Sequence, residues 1–325
     1  MTSMHLARRA VALGLAAAAL AVSGAALAQP KTTRLIVAFP PGGPVDFVAR
    51  TLSEQLGKEL GHTVIVENKA GANGAIAADF VSRAAPDAQT LWLTSVGAVA
   101  INPALYPKLS YKPATDLTPV SLVVNNVEVL VVNAKAPYPS GAEFVEAARR
   151  ATAPLTMASS GTGSVPHLAM ELLNEHAQIK LMHVPYKGAA PAITDVIAGH
   201  VDGFFGDIPG LVGHIAAGKL KPIGLAAAKR HPRFPDVKTF AEMGIPGVDS
   251  DNWYALFAAK GTPAADAERV SQAVRRALAT PAIKAKLEAS GAEVAGSTPA
   301  ELAKVLASDS DKWARVVRAN NVTPD

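Results

Sequence analysis

The stretch at 35–50, LIVAFPPGGPVDFVAR, constrains the fold more than any other part of the chain. Residues 35–39 form an apolar run with the length of a buried strand. Pro40, Pro41, Gly42, Gly43 and Pro44 then break regular structure. From Val45 the pattern turns helical, with Val45, Val48, Ala49, Leu52 and Leu56 recurring at three- and four-residue steps. A strand therefore runs through a Gly-rich loop into a helix N-terminus. Unpaired backbone N–H groups and the helix dipole make such a junction a seat for a small anion, a carboxylate or a phosphate. The alternative is a tight turn that binds nothing.

The chain of 325 residues opens with Arg8 and Arg9, followed by an uncharged Ala/Leu/Val-rich run over 10–27 and the triplet Ala26, Leu27, Ala28. This pattern marks a secretory signal peptide cleaved after Ala28 (residues 1–28), with a membrane anchor as the rival reading. The Arg pair leaves twin-arginine export open beside general secretion. The chain has no Cys, which excludes a lipoprotein anchor, disulfides, thiol catalysis and thiolate metal sites. Without Arg8 and Arg9 the 31 basic residues become 29, against 27 acidic, a net charge of +2. No basic cluster interleaved with aromatics suggests nucleic acid. No second long apolar run follows, so the mature chain is expected not to be embedded in a membrane. Its length suits two lobes better than one core.

Strand-like and helix-like stretches alternate from residue 34 onward, which argues for α/β architecture with parallel sheets. The plan is doubled: ASSGTGSVPH at 158–167 repeats the strand, Gly-rich loop, helix order of the first stretch. In open α/β sheets such loops lie at the carboxyl ends of strands, where ligands bind. The expected division is a first lobe of 29–132 plus 251–325 and a second of 133–250, with hinge crossings within 127–133 and 251–257.

Several chemistries fail on inspection. Pro166 replaces the last Gly of a dinucleotide fingerprint, and there is no Walker A pattern, nucleophile elbow or metal-spaced His cluster. No cofactor, metal or catalytic residue is expected. Ser164 and His167 form a conceivable Ser–His pair, but Ser164 is better read as a helix cap and His167 as facing the cleft or stacking on the loop. Asp46 and Asp207 are polar groups at loop tips, and Phe39 and Trp253 are core or ligand-flanking aromatics.

Eight segments occur in one order: FPPGGPVDFVAR, VIVENKAGANGAIAADFV, APDAQTLWLTS, INPALY, ASSGTGSVPHLAMELL, HVPYKGAAPAITDVIAGHVD, GKLKPIGLAAAKR and DNWYALFAAKGTP. Together they resemble the Bug family of extracytoplasmic solute receptors, the substrate-binding component of tripartite tricarboxylate transporters. The likeness runs from about residue 34 to the C-terminus. It implies a two-lobed, type II (Venus-flytrap) periplasmic binding protein with two crossover hinge segments. It also implies a monomer in the periplasm that delivers a small mono- or dicarboxylate to transporter membrane subunits. A receptor presenting ligand to a membrane histidine kinase and an exported hydrolase are the rivals. Carried over by motif, Phe39, Pro41, Gly42, Gly43, Pro44, Val45 and Asp46 would hold the ligand carboxylate from one side. Ser159, Ser160, Gly161, Thr162, Gly163, Ser164 and His167 would hold it from the other, with Ser95 and Asp207 lining the cleft. The chain departs from the family pattern at Ala88 and Gln89, where Gly-Tyr is usual, and at Asn73, where Gly is common.

Overall fold

In the computed structural model, which describes residues 31–324, the apolar run after residue 31 is a strand buried on both faces. Leu35 and Val37 pack to one side and Ile36 and Ala38 to the other, all with no exposed surface. A strand covered on both faces must be apolar without alternation, and this one is. The expected signal peptide and its cleavage point lie outside the described residues.

In chain order the strands are β1 (Thr32–Val37), β2 (Thr63–Asn68), β3 (Thr90–Ser95), β4 (Leu117–Asn125), β5 (Glu128–Asn133), β6 (Thr156–Ser159), β7 (Met182–Pro185), β8 (Gly203–Asp207), β9 (Leu220–Ala226), β10 (Tyr254–Ala259) and β11 (Glu293–Val294). The helices are α1 (Pro44–Leu60), α2 (Ala75–Ser82), α3 (Asn102–Leu105), α4 (Pro113–Asp116), α5 (Gly141–Arg150), α6 (Val165–Ala177), α7 (Ala189–Ala198), α8 (Ile208–Ala216), α9 (Ala264–Ala279), α10 (Pro281–Ser290) and α11 (Pro299–Ala319). The predicted periodicity of α1 is realised: Val45, Val48, Ala49, Leu52 and Leu56 are its buried stripe, and Gly61 ends it in a left-handed cap.

The strands form two sheets, ordered β11-β4-β10-β3-β1-β2 and β7-β6-β8-β5-β9. The strand–helix alternation implies parallel sheets, and the pairs among β1, β2 and β3 and among β6, β7 and β8 are parallel. Both sheets are nevertheless mixed, because β10 runs antiparallel to β3 and β4, and β5 runs antiparallel to β8 and β9. These two strands enter straight from the other sheet and not through a crossover helix, so nothing forces them parallel.

The passages between the sheets lie side by side. Val127 and Asp251 form an antiparallel bridge. Asn252 N–H donates to Asn126 O, and Asn126 Nδ2 to Asn252 O, both at 3.0 Å. The first passage thus precedes β5. Residues 128–132, expected in the first lobe, are hydrogen-bonded into the second sheet because β8 and β9 flank them. The two sheets share one compact body that starts at Thr32. One buried apolar cluster runs from Trp92 of β3 and Trp313 of α11 to Phe144 of α5, Met157 of β6 and Phe205 of β8.

Candidate functional site

The loop after β1 is held by the first turn of the helix that follows it. Gly43 is the N-cap residue of α1, so Asp46 stands at the third helical position. Its carboxylate turns back: Oδ2 accepts the Gly42 N–H at 3.0 Å and Arg50 Nε at 2.9 Å. Oδ1 accepts Asn68 Nδ2 at 2.9 Å, and the same amide also donates to Phe39 O at 3.0 Å. Burial raises the Asp46 pKa, but the bonds from Arg50, Gly42 and Asn68 outweigh it and hold the carboxyl below its usual range. Gly42 has φ +81°, the left-handed conformation that glycine adopts without penalty. Gly43 has ordinary extended backbone (φ −79°), and a Cβ there would meet only Pro40 O at 3.5 Å. The need for a left-handed residue therefore falls on Gly42 alone.

The loop after β6 is held in the same way. Ser164 is the N-cap residue of α6, and His167, at the third helical position, accepts the Gly163 N–H on Nδ1 at 3.2 Å. Gly163 is left-handed (φ +76°), and a Cβ on it would run into Leu105. The His167 ring stacks on His183 with centroids 3.7 Å apart, and His183 Nε2 lies 2.6 Å from Ser159 Oγ. The remaining nitrogen of His167 faces Glu171 Oε1 at 3.6 Å. Ser164 does not cap with its side chain, contrary to expectation: its hydroxyl is buried and has no hydrogen-bond partner among the described residues. The first-turn N–H groups of α1 and α6 have no intrahelical acceptors.

Both helix starts open on one cavity. Phe39, Gly43, Pro44 and Val45 line it from the first loop, Ser160 and Ser164 from the second, and Ser95 and Asp207 from the strand ends. About 40 Å³ of it is open to the centres of water-sized molecules, room for roughly three waters or a small acid. The start of α7, at Ala189 and Ala190, is a third helix N-terminus on its wall. Asn73, left-handed at φ 45°, reaches from the first-sheet side to donate to Gly163 O at 2.8 Å and Asn102 Oδ1 at 3.0 Å.

The floor lies where the chain passes between the sheets. Glu128 and Asp207 are register partners on β5 and β8. Asn252 Nδ2 donates to both, at 3.2 Å to Glu128 Oε1 and 3.1 Å to Asp207 Oδ2, and the Tyr254 hydroxyl also donates to Asp207 Oδ2. Burial raises both acids: Asp207 is pushed up to about 7, and Glu128, with the Asp207 charge beside it, rises well above the ordinary glutamate value. Two carboxyls buried side by side favour sharing a proton over ionising together.

Of the expected residues, Gly161 and Thr162 line the adjoining cleft mouth with Phe39 and Ser160. Pro41, Gly42, Asp46, Ser159, Gly163 and His167 do not line the cavity; Asp46, Ser159 and His167 instead shape its two loops. Asn252 and Tyr254, missed in the sequence, line the floor. Trp253 between them points the other way, into the core, with Nε1 on Asp309 Oδ2 at 2.6 Å. Strand alternation was the available signal: a core Trp253 puts its two neighbours on the opposite face.

Two sheets joined by paired crossing segments, with a ligand-sized cavity at the loop ends, define a two-lobed solute-binding protein. The family model described as tripartite tricarboxylate transporter family receptor matches residues 48–322, and the chain belongs to that family. The structure of the periplasmic binding protein BugD is similar, at 31% identity and TM-score 0.85 over 90% of this chain and 99% of that one. MatC from Rhodopseudomonas palustris, solved with bound malate, is 35% identical with TM-score 0.83, covering 88% of this chain and 98% of that one. A second R. palustris protein, solved with adipate, is 30% identical with TM-score 0.87, covering 91% and 100%. The family and these neighbours are substrate-binding receptors, and no helix among the described residues is long and apolar enough to cross a membrane.

Two outcomes test this geometry. Asp46→Ala strips the acceptor from the Gly42 N–H, Asn68 and Arg50, and is expected to cost about 1–3 kcal/mol in urea-monitored stability; no change would show that the carboxylate does not brace the loop. The acid pair gives a pH signature. Raised folded-state pKa values mean that the folded chain binds more protons than the unfolded one between about pH 4 and 7. That contribution to stability is complete below the ordinary carboxyl range and is lost as pH rises through 7. The Tm of the wild type is expected to fall more between pH 5 and pH 8 than that of Glu128→Gln, which leaves Asp207 without a second acid. Parallel falls in the two proteins would contradict a shared proton.

Proposed function

We propose that the chain is a periplasmic receptor that captures a small mono- or dicarboxylate and delivers it to the membrane subunits of a tripartite transporter. The observation that carries this reading is Ser164: a buried hydroxyl with no partner, at a helix N-terminus, in a cavity that the N-termini of α1 and α7 also line. Such a site is complete only when an anion accepts those donors. Charge-assisted bonds contribute about 1.5–3 kcal/mol each. Three or four of them, less ordering costs, reach the roughly 8 kcal/mol of a micromolar complex. Malate and adipate in the related structures are both carboxylates, which supports the ligand class.

The proposed division into lobes follows the sheets, with the passages at Asn126 and Asn252 as the hinge. A ligand accepting from loops of both lobes favours the closed form, since only differential contacts shift that equilibrium. Export, with removal of residues 1–28, belongs to the same proposal. The geometry speaks against a hydrolase. His167 spends Nδ1 on Gly163 and turns Nε2 toward Glu171, so no base reaches Ser164 Oγ.

Calorimetry with a panel of small carboxylates tests the reading. Ser164→Ala is expected to weaken binding about tenfold, one charge-assisted bond's worth, with the Tm of the free protein held or raised, since an unpartnered buried hydroxyl is removed. Failure of every carboxylate to bind the wild type would overturn it.

A further inference from the structure

The cavity is chemically lopsided. Its donors are the helix starts and Ser164, whereas Asp207 is the one acidic residue on its wall, and no Lys, Arg or His lines it among the described residues. Lys187 belongs to the adjoining cleft mouth. An ionised carboxylate offers about four lone-pair sites. On Asp207, Tyr254 and Asn252 occupy Oδ2, and a proton held with Glu128 fills a third place. Apart from the proton held with Glu128, Asp207 Oδ1 accepts from no donor among the described residues, although Asp207 is only 8% exposed. The Asn252 amide donates to both acids, but the Tyr254 phenol donates to Asp207 alone, so the negative charge of the pair is best placed there. A buried carboxylate with acceptor capacity left and no protein cation beside it calls for a donor from the ligand.

We infer that Asp207, supported by Glu128, selects ligands that carry a hydrogen-bond donor, an amino or hydroxyl group, close to the carboxylate. Unsubstituted acids leave Asp207 unsatisfied, and a second carboxylate placed against it meets a like charge in a buried site where screening is weak. This rests on the receptor reading above and narrows its ligand class to amino and hydroxy acids. Glu128 touches no ligand in this account: it is a positioning residue whose proton keeps the pair at a single negative charge.

The test uses matched series that differ only in the substituent beside the carboxylate: propionate, lactate and alanine, and succinate, malate and aspartate. Each is titrated calorimetrically into the mature protein at pH 7. The hydroxy or amino member of a series is expected to bind at least tenfold tighter than the unsubstituted acid. Asp207→Asn is expected to erase the advantage of the ammonium, and Glu128→Gln, whose amide N–H can replace the acid proton, to retain it. Equal or tighter binding of propionate or succinate would overturn the inference while leaving the carboxylate receptor intact. So would an ammonium preference that survives in Asp207→Asn. Binding of no acid in either series would remove the receptor reading and this inference together.

Discussion

Each of the two loops that frame the cavity depends on one backbone N–H, that of the left-handed glycine just before its helix. In the first loop Asp46 takes the Gly42 N–H, and in the second His167 takes that of Gly163. In both, the acceptor is the side chain at the third helical position, reaching back over the first turn. The bond fixes the angle at which the chain enters the helix, and therefore where the free N–H groups of that turn point. An aspartate and a histidine perform the same task because each offers one acceptor at the right reach. Their remaining valences are tied to different neighbours, Arg50 and Asn68 in one case and the His183 stack in the other.

With its loops braced from behind, the cavity can leave donors unpaired in front. Ser164 keeps a buried hydroxyl without a partner among the described residues, a state that costs stability in the free protein and that the proposed ligand would relieve. The floor repeats this logic with the opposite sign. Glu128 and Asp207 sit beside the Asn126–Asn252 pair, so the charge facing the cavity and the passages between the sheets share one hydrogen-bond network. Asn73 completes the arrangement by joining the first-sheet side directly to Gly163 O.

The strand, Gly-rich loop, helix plan was legible in the sequence because periodicity and turn residues are local signals. The side-chain directions of Asp46 and His167 were not, since Asn68 and His183 reach them from other strands. The mixed sheets escaped for a related reason: the direction of β5 and β10 is set by passage between sheets, which leaves no mark in hydrophobic pattern. For the same reason residues 128–132, expected in the first lobe, pair with the strands of the second sheet. Glu128 reads as an isolated acid in an apolar strand, and only its register with Asp207 gives it a role.

A crystal structure of the protein with any small carboxylate that raises its Tm tests the central claim most directly. The account predicts one carboxylate group within about 2.7–3.2 Å of first-turn amides of both α1 and α6 and of Ser164 Oγ. A carboxylate engaging only one loop, or held by Lys187 at the cleft mouth with those amides unoccupied, would contradict it.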